Sequence, residues 1–276
     1  MSKKNIDNGT VSSFGDEWTK FDQSGMTSYE AKKAFDEYFS VFPWSELPSN
    51  AEGFDMGCGS GRWAKFVAPI VGKLHCIDPS KALEVARVNL VDYKNITFHQ
   101  ASVDESFVGL NTQDFGYSLG VLHHVPDTAL AIKSCAALLK PGAPLLLYLY
   151  YALDNRPFWF RSLWWLSDLL RNVIYRLPSN IKHILTDFIA ALVYFPLARL
   201  GLFIEKVGLS VHTVPLSYYR KHSFYTMRTD ARDRFGTPLE HRFTKDHIKK
   251  MMIDAGFIKI KFSNSAPYWC VVGTKA

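Results

Sequence analysis

Gly53-Phe54-Asp55-Met56-Gly57-Cys58-Gly59-Ser60-Gly61-Arg62 is the stretch whose reading decides the fold of this chain. An apolar and acidic lead-in runs into glycines at alternate positions and then into an amphipathic segment. This reads as the end of a buried strand, a tight turn and the start of a helix, a geometry that brings backbone close to a ligand and aims helix N–H groups at it. A Cβ at Gly57, Gly59 or Gly61 would forbid the turn or hold the ligand away. The first expectation is therefore a nucleotide-like cofactor. A dinucleotide fingerprint would place its third glycine at position 62, which is Arg62.

Outward from this turn, strand signals recur. Lys73-Leu74-His75-Cys76-Ile77-Asp78 reads as a second strand ending in an acid that can accept both hydroxyls of a ribose. The same side chain can cap the helix that follows, since Pro79-Ser80-Lys81-Ala82 comes next. Residues 96–101 give a third strand, 114–120 a fourth ending at Gly120, and 144–150 a fifth, apolar throughout as a strand covered on both faces should be. A helix over 129–139 stops at Lys140-Pro141-Gly142. Helix 244–255 with strands 257–262 and 268–274 closes the chain. The alternation predicts an α/β fold, a doubly wound parallel sheet with helices on both faces.

The run Asp55-x-Gly57-Cys58-Gly59-x-Gly61 resembles motif I of the class I, Rossmann-like S-adenosylmethionine-dependent methyltransferases, and Val121-Leu122-His123-His124-Val125-Pro126-Asp127 is similar to the bacterial branch of that family that acts on small molecules. The resemblance covers residues 50–150 and 240–276. It implies a mostly parallel seven-stranded sheet whose last strand is antiparallel, with S-adenosyl-L-methionine as cofactor and S-adenosyl-L-homocysteine as product. Asp55, Gly57, Cys58, Gly59, Gly61, Asp78 and Gly120 are then the cofactor-binding candidates. The family usually carries an acid just after the third strand for the adenine amino group, with a backbone N–H beside it on the ring. Ser102 aligns with that acid here, Val103 follows, and Asp104 lies two residues after Ser102. His123 and His124 fall at the carboxyl end of the fourth strand, near the methyl donor, with a purely structural role as the competing reading.

Two segments outside this core are expected to choose the acceptor. Residues 1–50, with a helical stretch from Ser28 to Val41, resemble the aromatic, helical lid that many bacterial methyltransferases fold over the cofactor, with Trp18, Phe21 and Tyr29 as the lid candidates and ordinary core packing as the alternative. Residues 152–242 interrupt a core assigned to 51–151 and 243–276. They are too long for a connection and too apolar to be disordered, so they read as an inserted helical cap with helices over 158–175 and 181–202, the second bent at Pro196. The longest charge-free run in the cap, Phe188 to Ala198, is shorter than a spanning helix of about 20 residues requires. Between Ala152 and Tyr225 nine Lys or Arg face four Asp or Glu, so nearly all of the chain's net charge of +6 sits in the cap. Peripheral contact with a membrane surface, a lid over the acceptor and a homo-oligomer interface are the three expectations for it. The polar stretch after it supplies the acceptor-site candidates Tyr219, Arg220, Asp230, Asp233 and His241, with a solvated loop of Asp–Arg pairs as the alternative.

The partner expected is a small-molecule acceptor, with a lipid, quinone or lipid-linked sugar at a membrane surface as the second reading. A sulfonium methyl is already activated, so the protein mainly aligns the acceptor and excludes water. A hydroxyl acceptor also wants a base, for which His124 or His241 can serve. Nucleic acid is disfavoured despite a pI near 9.0, because no Asn-Pro-Pro-Tyr type of tetrapeptide follows the fourth strand and the basic surplus sits on an apolar cap. The four cysteines are scattered without metal-ligand spacing and read as reduced thiols, and Met1-Ser2-Lys3-Lys4-Asn5 leads into no apolar stretch, so the expected location is cytoplasmic, extending to the inner face of a membrane.

Overall fold

Seven strands form one sheet in the order β3-β2-β1-β4-β5-β7-β6. In chain order they are β1 (Glu52–Met56), β2 (Lys73–Ile77), β3 (Ile96–His99), β4 (Phe115–Leu119), β5 (Pro144–Tyr148), β6 (Phe257–Phe262) and β7 (Cys270–Lys275). The first five run parallel, and β7 is antiparallel to both β5 and β6. The computed structural model describes residues 4–23, 25–105, 108–211 and 213–276. The α/β class and the antiparallel last strand are as the sequence predicts.

The helices are α1 (Asn8–Lys20), α2 (Ser28–Tyr38), α3 (Ala64–Val67), α4 (Ala82–Asn89), α5 (Thr128–Leu138), α6 (Phe158–Ile174), α7 (Ser179–Ile189), α8 (Phe195–Lys206), α9 (Phe224–Gly236) and α10 (Lys245–Asp254). Asp7 starts α1 by accepting from the Thr10 N–H, and Asp127 starts α5 by accepting from the Leu130 N–H. Two apolar clusters cover the sheet. One gathers Phe54, Leu145, Leu147 and α10 side chains, the other Phe115, Tyr117, Leu146 and the aromatic side chains of α2. Odd and even positions of β5 feed opposite clusters, as a strand buried on both faces requires. Between β1 and β4 the order of strands reverses, and an open sheet of this kind receives ligands at the carboxyl ends there.

The chain divides into two compact units. The core unit runs up to Asp22 and takes in Ala31–Ala152 and Leu239–Ala276; the cap unit is Gln23–Glu30 with Leu153–Pro238. These limits differ from the boundaries at 50, 151 and 242 for identifiable reasons. The Glu30 carboxylate accepts from the Ser223 N–H at 2.9 Å and the Thr226 hydroxyl at 2.8 Å, both in the cap. Leu239 donates its N–H to the Thr10 hydroxyl and His241 its N–H to the His123 carbonyl, both in the core. Tyr29, expected in the lid, is assigned to the cap unit and is exposed.

Within the cap, α7 and α8 join through a π turn at Ala190–Tyr194 into one helix, Ser179–Lys206. The π turn precedes Pro196, whose missing N–H is accommodated without breaking the helix. At 28 residues this helix is long and apolar enough to cross a bilayer by length and composition, which the short charge-free run had argued against. The polar stretch after the cap, expected to supply acceptor-site residues or else to be a solvated loop, contains α9, which packs against both α6 and α7.

Candidate active site

The glycine turn is tied down on every side by the core unit. Gly57 and Cys58 donate their N–H groups to the Ile77 carbonyl, Gly61 donates to the Cys58 carbonyl, and Gly59 donates to Asp78 Oδ2 at 2.9 Å. Helix α3, beyond the turn, is only four residues long. Amides expected to point at a ligand are thus spent inside the protein, and such a loop is poorly equipped for phosphate. All three glycines have positive φ, and a Cβ on Gly57 or Gly61 would run into Val121 or Leu90. A Cβ on Gly59 would instead stand 3.3 Å from the Trp18 indole nitrogen.

Asp78 closes the turn from the neighbouring strand. Its Oδ1 accepts from the Ser80 N–H at 2.8 Å and the Ser80 hydroxyl at 2.6 Å, while Oδ2 holds Gly59. One carboxylate therefore fixes both the glycine turn and the approach to α4; Oδ1 already accepts two hydrogen bonds, and Oδ2, which accepts one, keeps acceptor capacity for a ligand hydroxyl. Burial pushes its pKa up despite these hydrogen bonds.

Asp55, at the end of β1, is almost wholly buried, and neither carboxyl oxygen has a hydrogen-bond partner at ordinary distance. Burial drives its pKa well above the usual carboxylate range, Tyr117 beside it works in the opposite direction, and the charge of Asp78 adds to the rise. A buried carboxyl without a donor is costly unless a ligand supplies one. The donor set fits S-adenosylmethionine, which brings an ammonium and a sulfonium but no phosphate: Asp55 would hold its cationic end and Asp78 its ribose. The Cys58 thiol beside them is buried, with its pKa pushed well up by burial, so it is inert packing rather than a nucleophile.

Helix α1 lies along this site. Gly15 brings it close to Ser80 and Lys81, Trp18 meets Gly59, and Phe14 packs edge-on to His124 with ring centroids 4.9 Å apart. Phe21 is buried at the end of α1. The turn after β3 is held by the chain's own start: Asp104 accepts from the Asn5 N–H, Ser102 donates its hydroxyl to Asp104 and its N–H to Glu105, and Lys4 pairs with Glu105. The Lys4 bond takes the Glu105 pKa down to about 2. Burial of Asp104 is outweighed by the bonds from Ser102 and Asn5, which hold it ionised, and Val103 packs into the core.

Beyond β4, Gly120 has positive φ and little near its Cβ position but Tyr148, which leaves open space at the strand end. His123 is fully buried, stacked on Tyr150 with centroids 3.8 Å apart, and its pKa is driven well below the usual value by burial and then by His124, Arg242 and His241. His124 directs Nδ1 at the Leu239 carbonyl, 2.6 Å away. A carbonyl only accepts, so Nδ1 carries the proton and Nε2 is the nitrogen with the lone pair. Arg242 lies over the Tyr150 ring at 5.1 Å and pairs with Glu240 at 2.7 Å; burial opposes its charge, and Glu240 outweighs that.

The structure thus gathers Asp55, Asp78, Trp18, His123, His124 and His241 in the core unit. Tyr219, Arg220, Asp230 and Asp233 belong to the cap unit. There Arg220 pairs with Glu205 at 2.8 Å, and Tyr219 is half-buried against the cap cluster, its pKa driven up by desolvation and then by Asp230. Phe14, Ser80, Tyr117, Tyr150 and Arg242 also belong to the site, and no motif marks them as such. Of these, Tyr150 and Arg242 were visible as the end of an apolar strand and as part of Glu240-His241-Arg242, but nothing in one-dimensional order joins them.

The methyltransferase domain family model matches residues 54–147. Curated relatives named ubiquinone biosynthesis O-methyltransferase include proteins from Aromatoleum aromaticum, 28% identical over 51% of this chain and 63% of the relative, and Vibrio parahaemolyticus, 33% identical over 37% and 43%. A third, from Xanthomonas axonopodis pv. citri, is 28% identical over 67% of this chain and 74% of its own length. The chain therefore spans less than two thirds of the first two relatives. Among solved structures, a possible exported protein from Bordetella parapertussis aligns over 95% of this chain and 79% of its own at a TM-score of 0.52 and 13% identity. The apo form of the S-adenosylmethionine-dependent methyltransferase SibL aligns over 89% and 55% at 0.51 and 13%. These two likenesses speak to the fold alone. With the site geometry and the family match together, the chain carries a class I, Rossmann-like, S-adenosylmethionine-dependent methyltransferase domain.

Proposed function

We propose that this chain transfers the methyl group of S-adenosylmethionine to a hydroxyl oxygen of a small-molecule acceptor. The observation that carries the reading is the buried, unpartnered Asp55 carboxyl beside a glycine turn that Asp78 locks in place. When bound, the donor supplies a methyl group already activated by its sulfonium. Asp55 and Asp78 hold and orient it, and α1 with Trp18 shields it from water. His124 takes the proton of the acceptor hydroxyl at Nε2, while the Leu239 carbonyl on Nδ1 keeps the ring in the required tautomer. The preference for oxygen rests on that tautomer and on the names of the relatives, all O-methyltransferases of ubiquinone biosynthesis.

A second reading, a lipid-soluble acceptor, is favoured by the apolar helices of the cap, whose side chains stay exposed. One experiment tests both. Incubation with methyl-labelled donor and fractionated cell extract is expected to label a small molecule, and partition into organic solvent selects the second reading. Label confined to nucleic acid or protein overturns both. Asp78→Ala is expected to weaken donor binding by about tenfold or more, measured by calorimetry. His124→Gln should leave donor affinity unchanged and lower kcat by about a hundredfold or more.

A further inference from the structure

The cap unit buries a small apolar cluster together with several charged and polar side chains, and leaves most of its large apolar side chains exposed. Along Ser179–Lys206 the buried stripe is Lys182, Thr186, Ala190, Tyr194, Ala198 and Gly201, spaced at three to four residues, and it packs with α9. The opposite stripe carries Ile184, Phe188, Leu192, Leu200 and Phe203, all exposed. Helix α6 repeats the arrangement. Its Arg171 is buried and donates to Asp168 at 2.7 Å and to the Thr237 carbonyl at 3.0 Å, and Arg234 of α9 also meets Asp168, at 3.3 Å. Its Trp165, Leu166, Leu169 and Val173 face out. The most buried large side chain of α9 is Arg232, with Ser179 Oγ 3.5 Å from its guanidinium.

Water would drive the opposite arrangement, large apolar groups in and arginines out. Only 22% of the most apolar stretch of Ser179–Lys206 is buried. Polar contacts inside and apolar side chains outside are what an apolar solvent selects.

We propose that the outward faces of α6 and of the α7–α8 helix seat the cap in the interface of a lipid bilayer that carries anionic headgroups. The charge pattern matches that partner. Arg161, Arg176, Arg199 and Lys206 are exposed on or beside these faces. The acids of the same helices are paired inward or with the adjoining loop: Asp168 with Arg171, Asp187 with Arg228 and Glu205 with Arg220. A surface rich in Trp, Phe and Leu with interleaved cations binds anionic lipid through buried apolar area and headgroup attraction together. The helix lies in the plane rather than crossing it, because its inner stripe is occupied along its length by α9 and the segment Ser217–Lys221. A second copy of this chain is a poor occupant, since each cap brings five surplus positive charges.

Flotation of the full chain with vesicles of phosphatidylcholine alone, or with phosphatidylglycerol added, tests this. The expected result is at least about tenfold more protein on the anionic vesicles, with part of the binding surviving high salt. The triple variant Phe188→Ser, Leu192→Ser, Phe203→Ser is expected to lose about tenfold or more of that binding, while circular dichroism and donor affinity are retained. A control, Val88→Ser with Val91→Ser, removes exposed apolar groups of the core unit and should float like the parent. Failure of the parent to float, or a triple variant that floats equally well, overturns the proposal. A parent that does not float but forms a dimer that the triple variant dissolves also overturns it and assigns the face to a second copy. Donor affinity is read separately, so a failed flotation leaves the methyl-transfer reading standing.

Discussion

At the scale of the residue, Asp55 is where function opposes stability. Its carboxyl is buried without a hydrogen-bond partner, and its pKa lies well above the ordinary value of about 3.9 that it regains on unfolding. Between those two values the folded state holds a proton that the unfolded state has released. Stability contributed by Asp55 is therefore lost as pH rises through the window from about 4 to the folded pKa. Asp55→Asn removes the ionisation and keeps the shape, so the variant is expected to gain about 1 kcal/mol or more over the parent near neutral pH and nothing below about pH 4, measured by urea denaturation across that range. The same substitution should weaken donor binding about tenfold or more, since an amide cannot pair with an ammonium. In the parent, donor binding should release a proton and tighten as pH rises; calorimetry in buffers of different ionisation enthalpy reads both. Parallel pH profiles for parent and variant would dismiss Asp55 as the ionising group. Asp55 and Asp78 were legible in the sequence because a glycine turn and a strand end fix their positions by chain order. That the charge of Asp78 adds to the raised pKa of Asp55 was not legible, because it depends on the pairing of β1 with β2.

At the scale of the element, β1 and β4 exchange glycine for phenylalanine across the sheet. Gly53 pairs with Phe115 and Phe54 with Gly116, and each ring occupies the space a Cβ on the paired glycine would need, 2.3 Å and 2.2 Å from the nearest ring atom. The two rings belong to opposite apolar clusters, so the exchange anchors both layers at the pair of strands whose ends carry the site. Gly116→Ala is expected to cost about 1–3 kcal/mol through overpacking, seen as a lower urea midpoint with unchanged slope. A neutral result would mean that Phe54 moves aside freely. Strand β5 was readable because a strand buried on both faces writes itself as a continuous apolar run, and β1, β2 and β4 because a glycine turn, an acid and a glycine mark their ends. Helix α9 was not, and the reason is physical. Periodicity finds a helix by its apolar stripe, whereas α9 buries Arg232, Arg234, Thr226 and Thr229 along with Met227 and Phe235. Helix α1 lies inside a lid expected to be helical, but periodicity gives it no bounds, since its buried positions are Thr10, Ser13, Gly15 and Glu17.

At the scale of the whole molecule, the two units draw on unequal cores. The core unit holds two clusters with Phe54, Leu122, Ile132, Phe115 and Tyr117 among their fully buried members, while the cap cluster consists of Ile174, Ala190, Tyr194, Ala198, Met227, Ala231 and Phe235. Three of those seven are alanines, and most of the large apolar side chains of the cap lie outside the cluster. Hydrophobic stabilisation scales with apolar area removed from water, so the cap is expected to be the less stable unit in aqueous buffer. Differential scanning calorimetry of the full chain should show two transitions, the lower belonging to the cap. The residues that would hold the donor lie in the core unit, so S-adenosylmethionine at a hundredfold excess over its Kd should add about 2.7 kcal/mol to the upper transition alone and raise it by about 5–10 °C. Anionic vesicles should move the lower transition alone, by covering the side chains that water leaves unstabilised. A donor that shifts both transitions equally would mean that the cap contributes to the donor site. Vesicles that shift neither would leave the exposed apolar side chains of the cap without the solvent that explains them.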